Sequence, residues 1–183
     1  MKSRIAMAVA LAALVVPAAS FADGPTGQDR ANAARACSAL RTSMGADLFR
    51  QTYGTAASNR RNAFGRCVSQ WARTEQQNRL SARSACQAEQ NDPNFAASHD
   101  GKSFAEFYGN GPKGANAFAR CVSSKVKAAR AEAQTNTVNA ARQCKAERKT
   151  MGVAEFRAKY GKNATDRNAF GKCVSALAKA PSN

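Results

Sequence analysis

Six cysteines, a single histidine and a surplus of arginine and lysine are the residues of this chain whose chemistry could carry a function. Cysteines cross-link or hold metals, a histidine moves protons, and basic side chains hold anions. Spacing separates these possibilities. No two cysteines form a close Cys-x-x-Cys pair and His99 stands apart from them, so neither a zinc site nor a haem attachment is expected. A Ser or Cys nucleophile needs a base and a group that orients it, and one histidine in a segment present only once makes such a triad implausible. Asp92, Asp100 and Glu106 are the acids from which a glycosidase pair would have to come, but no such pair recurs elsewhere. A Gly-rich phosphate loop is also missing. The chain therefore reads as having no catalytic residues, no metal and no cofactor.

Charge is the remaining chemistry. The 183 residues carry 28 Lys+Arg against 12 Asp+Glu, a formal charge of +16. Residues 30–73 hold eight basic residues and one acid, residues 79–127 seven and four, and residues 142–179 ten and three. The first and third segments are the basic ones. Their candidates for binding a polyanion are Arg50, Arg60, Arg61 and Arg66 in one, and Arg157, Lys159, Lys162, Arg167 and Lys172 in the other. A polymer of the cell wall, an acidic glycan, anionic lipid or DNA would suit them, and a solvated face tuned for solubility is the bland alternative. No RNP motif or aromatic interleaving accompanies the charge, so sequence-specific nucleic-acid recognition is not expected.

The three segments are repeats of one another. Asn62-Ala63-Phe64-Gly65-Arg66-Cys67-Val68-Ser69 returns as Asn116-Ala117-Phe118-Ala119-Arg120-Cys121-Val122-Ser123 and as Asn168-Ala169-Phe170-Gly171-Lys172-Cys173-Val174-Ser175. A Phe-x-x-x-Tyr-Gly segment precedes each, at Phe49, Phe104 and Phe156, and one more cysteine precedes that, at Cys37, Cys86 and Cys144. Ala119 stands where the other repeats have Gly, so that Gly is not expected to be required for the fold. Repeat two alone has an insertion, residues 91–102, which marks a loop. Of the fifteen pairings that six cysteines allow, the repeat selects Cys37 with Cys67, Cys86 with Cys121 and Cys144 with Cys173. The rival pairs Cys67–Cys86 and Cys121–Cys144 lie on continuous helical patterns, which would hold them about 28 and 35 Å apart. Each closed loop contributes roughly 3 to 4 kcal/mol in the chain-entropy model.

Helices must position these groups. Phe64, Cys67, Val68 and Trp71 fall at i, i+3, i+4 and i+7, one helical face, and Ala33, Cys37, Leu40 and Met44 form another, broken near Gly45. The expected unit is a helical hairpin stapled by its disulfide. Phe49 and Tyr53 form a short turn of core rings ended by Gly54 as a left-handed cap, with Asn62, Asn116 and Asn168 as N-caps or turn hydrogen-bonders. Residues 73–83 and 128–139 are polar without an apolar stripe. They read as helical connectors bridging solvent, giving an all-α chain of three small modules in preference to a zigzag of helices packed along their lengths.

Residues 1–22 have the form of a signal peptide: Lys2 and Arg4, an apolar run over residues 5–19 too short to span a bilayer, and the small-x-small site Ser20-Phe21-Ala22. No transmembrane segment is expected after cleavage, and the even cysteine count fits a secreted or periplasmic product. The Phe-x-x-x-Tyr-Gly and Asn-Ala-Phe-Gly-(Arg/Lys)-Cys-Val-Ser pattern resembles repeats in uncharacterised secreted bacterial proteins, a resemblance over nearly all of the chain after residue 22 that implies no activity, substrate or cofactor. The expectation is a non-catalytic protein binding a polyanion at the cell surface through repeats one and three. The alternatives are an enzyme or enzyme inhibitor using the repeat-two loop, and a membrane-active antimicrobial or toxin built on basic amphipathic helices.

Overall fold

The computed structural model describes residues 24–55, 58–111, 113–162, 166 and 168–179. The signal-peptide segment 1–22 and the candidate Arg167 lie outside them. Among the described residues seven α-helices follow in order: α1 (Gly27–Met44), α2 (Ala46–Tyr53), α3 (Ala63–Gln90), α4 (Phe104–Tyr108), α5 (Ala117–Met151), α6 (Val153–Tyr160) and α7 (Ala169–Leu177). A capping box between Thr26 and Asp29 starts α1, and another between Ser103 and Glu106 starts α4. Gly45 and Gly152, at φ of 80° and 86°, break α1 from α2 and α5 from α6. In repeat two the inserted loop, with a single 3₁₀ turn at Ala96–Ser98, takes the place of that break.

Each repeat is a long helix, a short helix and a returning helix, closed by a disulfide. The bonds are Cys37–Cys67, Cys86–Cys121 and Cys144–Cys173, with Cα atoms 6.0, 6.0 and 6.1 Å apart. All six sulfurs are fully buried. Phe49, Phe104 and Phe156 fill the cores as their spacing requires, and Tyr53 adds a buried hydrogen bond, accepting from Trp71 Nε1 at 3.0 Å.

α3 and α5 run unbroken from one repeat into the next, about 42 and 52 Å long at the helical rise. They are the polar connectors, yet they do not stand in solvent. α3 and α5 lie side by side, and α1 packs on both. Ala133 and Val138 on α5 pack against the core that holds Ala36 and Ala33 on α1 and Ala72 on α3, and charge pairs that composition alone marks as polar join the helices. Glu75, fully buried, accepts from Arg130 Nε and Nη2 at 2.6 Å each. Asp29, buried at the start of α1, accepts from Arg79 Nε and Nη2 at 3.2 and 3.0 Å. Gln134 on α5 donates to the Ala36 carbonyl. The expectation of modules held apart by solvated connectors is corrected here: repeats one and three share a core, with Ala133 and Val138 against repeat one and Met44 and Leu48 against repeat three. Repeat two has its own core of Phe95, Phe104, Ala117 and its cystine.

Three local expectations change with the geometry. Gly54 is extended, at φ −79°, and is no left-handed cap; a Cβ there would lie 2.5 Å from Arg60 Cβ, so close approach is its reason. No Asn side chain caps its helix. Asn62 instead staples the loop by accepting from Thr55 N and donating to Thr55 Oγ1, and Asn116 takes a left-handed backbone. Gly65 has open space around it, in keeping with Ala119, but a Cβ on Gly171 would stand 2.5 Å from the Thr52 carbonyl oxygen. That glycine lets α7 approach α2.

A cationic junction between repeats one and three

Folding repeat three onto repeat one places their basic residues together. Arg66 on α3 and Lys172 on α7, the same position of the repeated motif, line one groove of about 390 Å³ with Thr52, Gln70, Asn168 and Ser175. A second groove of about 370 Å³ continues it, sharing Thr52, Tyr53, Gln70 and Ser175 and adding Trp71, Arg73 and Lys179. Arg66 and Arg73 are seven residues apart on α3, as are Lys172 and Lys179 at the end of α7, and seven residues is two helical turns. Arg66 and Arg73 therefore project from one side of α3, while Lys179 follows the end of α7; Arg66 and Lys172 line the first groove and Arg73 and Lys179 the second.

Another cavity of about 390 Å³, within repeat one, is lined by Arg41, Arg50, Arg60, Arg61, Phe49 and Phe64, with Asn59 and Arg60 contributed by the loop at 58–62. Asn59 and Arg60 are both left-handed, at φ of 46° and 63°, a sparsely used backbone for side chains of this kind. The Asn62–Thr55 staple and the bonds from Arg60 N and Arg61 N to Thr55 and Ser58 carbonyls hold it. Arg148 on α5 lies over the Phe170 ring, 5.1 Å from its centroid. Burial and the nearby charges of Arg60 and Arg157 hold its guanidinium below the ordinary value. Arg148 of repeat three thus lies within electrostatic reach of Arg60 of repeat one.

The candidates read from sequence divide accordingly. Arg66 and Lys172 line the groove between the repeats, Arg50, Arg60 and Arg61 line the cavity within repeat one, and Arg157 acts electrostatically on Arg148; Arg50 pairs with Asp47 and Lys172 with Asp166. Lys159 is held by Glu147 and lies against Tyr160, and Lys162 is exposed with its backbone N–H on Asp166. Arg41, Arg73, Arg148 and Lys179 were not among the candidates. The signal for Arg73 and Lys179 is in the repeat, where the motif's basic residue is followed seven positions later by another in all three units, Arg66/Arg73, Arg120/Lys127 and Lys172/Lys179; Arg41 and Arg148 each stand four residues after the first cysteine of repeats one and three.

In repeat two the titratable groups serve local structure. The His99 ring stacks on Phe95 at 3.8 Å, and its Nδ1 bonds the Phe95 carbonyl. Asp92 accepts from Asn94 N, and Glu106 completes its own capping box. Among the described residues no group of three or more His, Cys, Asp or Glu is placed to hold a metal ion, and no helix is long and apolar enough to cross a membrane. Three disulfides fit an oxidising compartment. Comparison of the chain with family models, curated proteins and solved structures gives no match.

Proposed function

We propose that this is a non-catalytic protein, secreted or periplasmic, that binds a polyanion at the cell surface through the joined basic face of repeats one and three. The observation that carries the reading is that Arg66 of repeat one and Lys172 of repeat three line one groove, which a second groove lined by Arg73 and Lys179 continues. Like charges gathered on one face repel, and a fold that needed charge only for solubility gains by spreading them. An anionic chain laid across the junction offsets that repulsion and gains from several contacts at once. Because the two basic repeats touch, one ligand segment reaches both directly, with no span between separate modules to bridge.

The test is binding of the oxidised chain to heparin, inorganic polyphosphate, an oligodeoxynucleotide and anionic vesicles over a series of salt concentrations. The expected result is an affinity whose logarithm falls linearly with the logarithm of salt, with a slope of roughly 0.7 to 0.9 per phosphate contacted for a nucleic acid. Absence of binding to all four at about 0.15 M salt overturns the proposal.

A further inference from the structure

Repeats one and three use the same Arg–Phe pair differently. In repeat three Arg148 covers the Phe170 ring, which is 3 % exposed. The counterparts in repeat one, Arg41 and Phe64, line the same cavity, but no described cation covers the Phe64 ring, and Phe64 is 39 % exposed. One side of that ring rests on Phe49, with centroids 6.4 Å apart. The cavity of about 390 Å³ opens beside it and is walled by Arg41, Arg50, Arg60 and Arg61. A flat apolar surface among four guanidiniums is therefore left open in one repeat and closed by the chain's own arginine in the other.

We propose that the Phe64 cavity is a stacking subsite for single-stranded nucleic acid, taking one base against the open Phe64 ring and the flanking phosphates on Arg41, Arg60 and Arg61. This rests on the polyanion reading and names its ligand class. Guanidiniums grip phosphate oxygens through paired N–H donors, and an aromatic ring offers any base a stacking partner without reading its identity. A duplex hides its base faces, and polyphosphate satisfies the arginines without using the ring. The left-handed Asn59-Arg60 loop, stapled by Asn62, fixes the wall of the cavity in advance of binding.

The experiment titrates the oxidised full chain with a short labelled oligodeoxythymidylate and, in parallel, with inorganic polyphosphate, which has the phosphates but no rings. Phe64→Ala is expected to weaken the oligonucleotide roughly 5- to 100-fold, the range of one base stack, and to leave polyphosphate binding unchanged. Phe64→Leu, which keeps an apolar contact on Phe49, is expected to show the same selective loss and covers the case in which Phe64→Ala folds poorly. Phe64→Trp is expected to restore binding with fluorescence quenched by the oligonucleotide. Equal effects of Phe64→Leu on both ligands, or no effect on either, overturn the stacking subsite while leaving polyanion binding in place. Failure of the unsubstituted chain to bind either ligand overturns both.

Discussion

Gly171 on α7 lies so close beneath the carbonyl of Thr52 on α2 that a Cβ would stand 2.5 Å from the oxygen, and this contact joins repeat three to repeat one. Gly171→Ala must therefore displace backbone. It is expected to lower stability by about 1 to 3 kcal/mol, the usual cost of overpacking. Gly65→Ala, at the same motif position but in open space, is expected to be neutral or to stabilise α3 by up to about 1 kcal/mol. Urea denaturation midpoints of the two variants distinguish these outcomes.

The buried pair Glu75–Arg130 predicts an asymmetric mutant cycle. The Glu75 side chain is wholly enclosed, whereas Arg130 keeps about a quarter of its surface in solvent. Arg130→Ala strands a buried carboxylate and is expected to cost about 3 to 5 kcal/mol. Glu75→Ala leaves a guanidinium that can turn outward and is expected to cost less. Equal losses in chemical denaturation would contradict the buried-carboxylate account.

Repeat two shares no core with the other repeats, so loss of its disulfide should act locally. Replacing Cys86 and Cys121 with serine is expected to open the segment between them to proteolysis while repeats one and three stay protected. Cys37 and Cys67, set in the shared core, are expected to be needed for the whole junction. Limited proteolysis followed by peptide mapping reads both results.

Acid should weaken the fold. Burial pushes the Asp29 carboxyl up, but hydrogen bonds from Arg79 and Thr26 outweigh it and hold the group below its ordinary value of 3.8. Burial likewise raises Glu89, and the bonds from Lys125 and Tyr108 carry it below 4.5, while Lys172 and two backbone N–H groups bring Asp166 down to about 2. A carboxyl with a depressed folded pKa contributes stability above its unfolded value and loses it as pH falls through the folded one. Stability is thus expected to decline from about 4.5 down toward about 2. Asp29→Asn is expected to cost about 1 to 3 kcal/mol at neutral pH, with the difference shrinking in acid; urea midpoints against pH measure it.

The disulfide pairing was legible because each repeat carries its own two cysteines and a helix cannot bring Cys67 to Cys86. The hairpin cores were legible for the same reason that Phe49 and Trp71 are buried: their apolar side chains recur at helical spacing. The packing of the connectors was not. Alanine makes a contact face without an apolar stripe, and Glu75 belonged to a stretch read as solvent-bridging, whereas its partner Arg130 arrives from a distant segment. Gly54 and Gly171 were misread because close approach, unlike a left-handed turn, depends on a neighbour far away in sequence. Phe64 and Phe170 have identical local motifs, and only the placement of Arg41 and Arg148 makes one open and the other closed. The binding candidates were half visible: composition pointed to repeats one and three, but the groove that brings Arg66 to Lys172 required the long-range fold.

The central claim is that binding belongs to the junction and not to net charge, and two variants of equal charge test it most directly. One carries Arg66→Gln, Arg73→Gln and Lys179→Gln at the junction; the other carries Lys102→Gln, Lys113→Gln and Lys127→Gln on repeat two, where all three lysines are exposed. Polyanion affinity across a salt series is expected to collapse in the first, with a shallower salt dependence, and to stay near that of the unsubstituted chain in the second. Equal weakening in both would contradict the account.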